Sequence, residues 1–284
     1  VAPNTTASTD PTSHPFATNP VSLKVITDGH GSGIIQNPGY WGIDSRSGMM
    51  YNLSFYAKPA EGVVRATATL RCSDGRYAAT AVEAPLALDA TRGWAKYSTA
   101  LRAHVSCDDA YFQLGLTTPK PAQSIHLDGF SLVPGDAVAG LFRKDIFDKI
   151  KAMNPGFIRM PGGNYLEGTG PSTYWDWRKS VGPKEARPGH YNSAWGYWVT
   201  DGMGLHELLL LCEALGSTAQ MSVFTGYFLS GGYSPIAEAP QWATAAVDMI
   251  EYAIGDANTP FGRMRAAAGH PQPFNLSRVE VGNE

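Results

Sequence analysis

Two periods of hydrophobic positions divide the chain. From about residue 21 to 136, apolar side chains recur at every second position. Tyr51, Leu53, Phe55 and Ala57 alternate with Asn52, Ser54 and Tyr56, and Val64, Ala66, Ala68 and Leu70 alternate with Arg65, Thr67, Thr69 and Arg71. Ala110, Phe112, Leu114 and Leu116 repeat the pattern against Tyr111, Gln113 and Gly115. Alternation with one polar face predicts half-buried antiparallel strands. Turn signals at Ser73-Asp74-Gly75, Thr91-Arg92-Gly93 and Asp128-Gly129 separate the runs. Several such strands with no helix between them predict a β-sandwich over 21–136. The phase change from Ile125/Leu127 to Phe130/Leu132 places a bulge at Asp128-Gly129. Residues 1–20, rich in Thr, Ser, Pro and Asn without an apolar period, read as a tail or linker.

Beyond residue 137 the period lengthens. Phe142, Ile146, Ile150 and Met153 make a helical stripe opposite Arg143, Lys144, Asp148 and Lys149, and Asn154-Pro155 closes it. A short strand follows over 156–160 and runs into Pro161-Gly162-Gly163-Asn164. After a long loop, Leu205, Leu208, Leu209, Cys212 and Leu215 predict a second helix that Gly216 stops. A strand over 219–224 comes next, then a helix through Trp242, Ala246, Met249, Ile250 and Ala253 with Pro240 in its first turn. The last strand, Ser277-Arg278-Val279-Glu280-Val281, ends in Gly282-Asn283-Glu284. Strands alternating with helices predict parallel βα units. No dinucleotide fingerprint appears, and the long loop after the first of these strands matches the elaborated catalytic face of a (β/α)8 barrel. The segment 137–284 falls well short of the roughly 250 residues of a whole barrel. The predicted class is therefore a β-sandwich module followed by α/β, a partial (β/α)8 TIM barrel with about half the barrel present.

Composition narrows the function. Hydrophobic residues make up 43% and charged residues 17% of the 284, so a sizeable core is available. The net charge of −3, without a Lys/Arg block, argues against nucleic acid and anionic membranes as partners. No apolar run approaches the ~20 residues of a membrane span. Cys72, Cys107 and Cys212 form no metal-binding spacing, so neither a metal nor a cofactor is expected. Cys212 reads as a core residue, while Cys72 and Cys107 are free to pair in an oxidising compartment. The chain opens on Val1 without a signal peptide, so its true amino terminus is expected to lie upstream. Three sequons, beginning at Asn4, Asn52 and Asn275, are compatible with secretion.

Asn283-Glu284 at the carboxyl end of a parallel strand occupies the place where α/β folds put their chemistry. With no metal or cofactor motif and with 7 Trp, 13 Tyr and 11 Phe, the arrangement suggests hydrolysis of a sugar by carboxylates. Glu280 shares the strand parity of Glu284, and a charge inside a barrel needs a partner; Arg159 is expected to supply it. Asn37-Pro38-Gly39-Tyr40-Trp41-Gly42 puts two aromatics on a rigid turn, either as a stacking surface for a sugar or as an anchor into the core. Gly29, Gly31 and Gly33 lack the Lys-Ser/Thr of a phosphate loop.

Phe157-Ile158-Arg159-Met160-Pro161-Gly162-Gly163-Asn164 resembles the second-strand signature of glycoside hydrolase family 51, the α-L-arabinofuranosidases. The resemblance continues through Val181-Gly182-Pro183, Arg187-Pro188-Gly189-His190-Tyr191, Trp195, Trp198, Asp201-Gly202-Met203-Gly204, Glu207-Leu208 and Gly269-His270-Pro271, and ends on Val281-Gly282-Asn283-Glu284 as the fourth strand. The preceding β module is similar to the carbohydrate-binding-like insert of plant-type members. The resemblance implies that Glu284 is the general acid/base, that Asn283 holds the arabinose 2-hydroxyl, that Asn164 binds another hydroxyl and that Trp195 lines the pocket. Phe224-Thr225-Gly226 departs from the Asn-Gly common in relatives. The family's nucleophilic Glu on the seventh strand, and a first strand bearing a further Glu, have no counterpart here, so the chain is expected to be an inactive fragment. The implied substrate is an arabinose-containing polysaccharide or oligosaccharide, and the implied location is extracellular or cell wall. A barrel glycosidase of other sugar specificity and a non-catalytic carbohydrate-binding protein remain the alternatives; oligomeric state is not legible.

Overall fold

The computed structural model describes residues 5–283, which divide into two compact units at Arg143/Lys144. The first unit is all β: β1 (Thr6–Asp10), β2 (Ser22–Ile26), β3 (Ser32–Asn37), β4 (Ile43–Ser45), β5 (Met50–Pro59), β6 (Val63–Arg71), β7 (Tyr77–Ala81), β8 (Leu86–Asp89), β9 (Ala95–Ala103), β10 (Cys107–Thr117) and β11 (Ser124–Pro134). They form one antiparallel sheet in the order β1-β2-β11-β5-β9-β7-β6-β10-β3, with β4 added on β10 and β8 on β6. The predicted sandwich therefore takes the form of a single curled sheet around one core. Its interior is built from the alternating positions of the sequence: Leu53, Phe55 and Ala57 of β5, Val64, Ala66, Ala68 and Leu70 of β6, and Ala110, Leu114 and Leu116 of β10 are all buried. The register between β11 and β5 shifts between Asp128 and Ser131, as the phase change predicts. A disulfide joins Cys72 to Cys107 and so links the end of β6 to the start of β10.

One expectation fails here. The stretch read as tail or linker contains β1, in full register with β2 from Thr6↔Ile26 to Asp10↔Ser22. Its Thr- and Ser-rich face carries no apolar alternation because β1 lies at the sheet edge and most of it is exposed. Pairing with the backbone of β2, rather than burial, makes it a strand. Val1–Asn4 lie outside the described residues.

The second unit places parallel strands β12 (Phe157–Met160), β15 (Thr218–Val223) and β16 (Leu276–Val281) side by side, with β15 central. Helix α1 (Lys144–Ala152) precedes β12, and between β12 and β15 come α2 (Gly163–Glu167), a hairpin of β13 (His190–Asn192) and β14 (Tyr197–Val199), and α3 (Leu205–Leu215). Helices α4 (Ala239–Ile254) and α5 (Pro260–Ala267) connect β15 to β16. This is part of a (β/α)8 barrel. Helix α3 ends where Gly216 adopts φ 74°, the left-handed cap that glycine takes without strain. Helix α1 differs from its predicted stripe: Phe147 is the buried side chain, while Ile146 is 48% and Met153 78% exposed. The aromatic ring, with the larger apolar surface, sets the inward face. Helix α5 is an element that the hydrophobic pattern does not predict, although its start is signalled by Thr259, whose hydroxyl accepts from the Gly262 amide at 3.2 Å, followed by Pro260. Leu205, Leu209, Cys212, Met221, Met249 and Tyr252 are among the residues that fill the core.

Candidate active site

Parallel pairing brings the carboxyl ends of β12, β15 and β16 to one edge. Ser222 of β15 stands opposite Glu280 of β16, and Arg159 of β12 opposite Gln220. Alternation puts these polar groups on a common face. Arg159 grips Glu280 with two donors, Nε to Oε2 and Nη2 to Oε1 (3.0 Å for the latter), the partnership expected from strand parity. Ser222 Oγ also donates to Glu280 Oε2 at 2.9 Å. Hydrogen bonds from Arg159 and then Ser222 hold the Glu280 carboxyl below its ordinary range, and the same contact raises the Arg159 guanidinium.

The same Arg159 Nη2 donates to Asn283 Oδ1 at 2.9 Å, just past the end of β16. On its other side, Asn283 Nδ2 donates to Glu167 Oε2 at 3.3 Å. A guanidinium can only donate and a carboxylate only accepts, so the two neighbours fix which way the amide faces. One amide N–H and part of the carbonyl capacity are left for a ligand. Helix α2 delivers Glu167, which is 2% exposed, and it can approach because residue 163 is glycine: a Cβ there would overlap the Asn283 side chain.

The loop between β12 and α3 is anchored by a buried pair. Arg187 Nη1 and Nη2 donate to Glu207 Oε2 and Oε1 at 2.8 and 2.9 Å, and further donors reach the carbonyls of Asp201 and Gly182. Glu207 in turn accepts from the Gly204 amide at 3.0 Å, and Ser180 Oγ accepts from the Leu205 amide at 3.1 Å, so the start of α3 is capped by its own first turn and by the loop. Above this anchor Asp201 accepts from the Tyr165 hydroxyl at 3.2 Å and pairs with His190 Nδ1 at 3.0 Å. Burial, then the nearby Asp201 charge, pushes the Tyr165 phenol well above its usual value.

Of the residues singled out from sequence, Asn283 joins this network. Asn164 lies next to it in the chain fold, in the first turn of α2 beside Gly163, and is half-buried. Trp195 sits on the turn of the β13–β14 hairpin and is 57% exposed; its amide donates to Asn192 Oδ1 at 3.2 Å. Glu284 lies outside the described residues. Glu167 carries no motif in the sequence that assigns it chemistry; its one signal is an acid three residues beyond Asn164, which a short helix turns back toward the strand ends. The sequence departure at Phe224-Thr225-Gly226 is structural here: Phe224 is buried and stacks on Tyr174 with ring centroids 4.6 Å apart. Among the described residues the one group of metal-ligating side chains is Cys72, Cys107 and Asp109, and its sulfurs are joined in the disulfide.

Residues 149–284 match the family model described as the alpha-L-arabinofuranosidase 1 domain. The chain is 34% identical to alpha-L-arabinofuranosidase 1 of Arabidopsis thaliana across 95% of its own length and 40% of that protein's. It is 31% identical to alpha-L-arabinofuranosidase A of Aspergillus kawachii, across 93% of its length and 42% of the relative's. An arabinose-bound family 51 α-L-arabinofuranosidase superposes with a TM-score of 0.91 at 31% identity, over 100% of this chain and 47% of that one. The chain belongs to glycoside hydrolase family 51. It spans less than half the length of these family 51 relatives. Within that span lie both the β module and the strand ends that carry the Arg159–Asn283–Glu167 network.

Proposed function

We propose that this family 51 chain provides the acid/base side of a retaining α-L-arabinofuranosidase, releasing terminal non-reducing α-L-arabinofuranosyl residues from arabinose-containing polysaccharides. The observation that carries the reading is Asn283, clamped between Arg159 and Glu167 at the end of β16 and followed directly by Glu284. A fixed amide beside a carboxylic acid suits a furanoside. The amide holds the 2-hydroxyl as charge develops on the ring, and Glu284 protonates the departing oxygen and later deprotonates water. Asn164 and Trp195 supply a second hydroxyl contact and an apolar wall. That relatives are named α-L-arabinofuranosidases, and that one of them binds arabinose, supports this choice of sugar.

A retaining mechanism needs a second carboxyl about 5 Å from the first. Glu280 is committed to Arg159 and Glu167 to Asn283, so the nucleophile is assigned to no residue of this chain. The reading places the protein outside the cell or in the wall, where its polymeric substrate is found. It is tested in a chimera in which residues 1–284 replace the matching segment of the Arabidopsis relative, whose own preceding and following segments are kept. The chimera releases arabinose from an aryl α-L-arabinofuranoside with retained anomeric configuration, followed by proton NMR. Inversion, or equal turnover of aryl xylosides, refutes the assignment.

A further inference from the structure

We propose that the β module carries a binding site for a neutral polysaccharide strand, centred on Tyr40 and Trp41. These two residues follow β3 on the turn that leads into β4, at an end of the sheet's strand order. They are 83% and 89% exposed, with ring centroids 4.6 Å apart and planes inclined by 30°. Two large aromatic rings held side by side in water forgo the burial that ordinarily stabilises them. The alternative reading of the turn, aromatics anchoring a loop to the core, is excluded by that exposure.

The turn is built to hold the rings in place. Asn37 Oδ1 accepts from the Gly39 amide at 2.7 Å and closes its start. Trp41 adopts φ 62°, a left-handed conformation that a bulky residue takes only when its surroundings impose it. Gly42 follows with φ 96°, and a Cβ there would press on the backbone of Asp108 and Asp109 in β10. The aromatic pair is thereby seated against the sheet while both rings face outward.

Beside Trp41 opens a cavity of about 620 Å³, within the range of ligand sites. Its polar lining comes from Gln36, Ser73, Asp109 and Tyr111. Ser73 Oγ donates to Asp109, and Gln36 Nε2 donates to Gln113 at 3.0 Å, which leaves the Gln36 carbonyl oxygen as an acceptor. Amide, hydroxyl and carboxylate groups next to flat apolar faces are what a sugar chain requires, since a sugar ring has an apolar C–H face and a rim of hydroxyls. Asp109 is the one acidic side chain in the lining and no basic one accompanies it, so the site favours a neutral chain over a polyuronate. A protein partner would meet this open polar cavity without filling it.

The site is independent of the catalytic reading, and the experiment keeps the two apart. The whole chain is incubated with insoluble arabinoxylan, with cellulose and with a calcium polygalacturonate gel, and depletion from solution gives each affinity. Retention on a neutral polysaccharide is expected, insensitive to 1 M salt (~3 Å screening length), with none on polygalacturonate. The Tyr40→Ala/Trp41→Ala variant should bind about tenfold to a hundredfold more weakly, with an unchanged unfolding midpoint. Trp195→Ala should bind as the parent does. The proposal is overturned if the parent binds no neutral polysaccharide or if the double variant binds equally well. It is equally overturned if Trp195→Ala alone abolishes retention, or if the patch instead drives self-association that the double variant loses in sedimentation.

Discussion

Replacing Arg187 by Met strips a buried carboxylate of its counter-ion. The Arg187 and Glu207 side chains are 2% and 4% exposed. Without the guanidinium, Glu207 keeps the Gly204 amide as a hydrogen-bond donor but has no counter-ion, and the carbonyls of Gly182 and Asp201 lose their partner as well. Removing one member of such a pair costs about 3–5 kcal/mol, because the remaining charge stays desolvated and unpaired. That is a large part of the ~5–15 kcal/mol that stabilises a domain. For the 144–284 unit it corresponds to a fall in unfolding midpoint of roughly 10–20 °C. Five of the seven tryptophans lie in this unit. In a Trp41→Phe/Trp94→Phe background, tryptophan fluorescence therefore follows its unfolding in urea without interference from the β module. The double variant Arg187→Met/Glu207→Leu, which removes both charges, should recover most of the loss. A single-variant loss below about 1 kcal/mol, or a double variant as unstable as the single, would refute the reasoning.

Other expectations follow from the same contacts. Cys72→Ala/Cys107→Ala opens a covalent loop of sequence separation 35 and should lower β-module stability by about 3–4 kcal/mol, read by denaturant unfolding of the Trp94 signal. Arg159→Met frees the Asn283 amide, and Gly163→Ala displaces it; each should lower kcat/KM of the chimera about a hundredfold with far-ultraviolet circular dichroism unchanged. Arg159→Lys should not rescue, since an ammonium cannot span Glu280 and Asn283 in the same fork. Burial, more than any neighbouring charge, lowers the His206 imidazole, whose Nδ1 meets the Tyr252 hydroxyl at 2.9 Å. A depressed His means that the unfolded chain binds the proton first. The 144–284 unit therefore loses stability as pH falls below about 6.5, until the folded-state value is reached. His206→Gln should flatten that part of the stability profile.

The parts of the fold legible in the sequence are those where local pattern and burial agree. The alternation of β5, β6 and β10 is the core of the β module, and Gly216 stops α3 at the predicted residue. The Arg159–Glu280 pair was readable because strand parity puts Glu280 on an interior face, where a charge requires a counter-ion. What escaped depends on tertiary partners. Strand β1 has no inward apolar face and exists through pairing with β2. The inward face of α1 is chosen by Phe147 against an otherwise plausible aliphatic stripe. Glu167 gains its role because a one-turn helix after Gly162-Gly163 folds it back onto Asn283, a long-range contact that no local period encodes. Cys72 and Cys107 carried no spacing rule that could have decided their pairing.

The general-acid role of Glu284 can be read directly from kinetics. In the 1–284 chimera, kcat/KM of the parent and of Glu284→Gln is compared across aryl and alkyl α-L-arabinofuranosides of graded leaving-group acidity. A proton donor contributes about 10²–10⁴-fold, and the contribution matters most for leaving groups that cannot depart as anions. The loss in Glu284→Gln should therefore grow steeply from activated aryl arabinosides to unactivated alkyl ones. A variant that cleaves both classes as well as the parent, or loses the same factor on each, would contradict Glu284 as the acid.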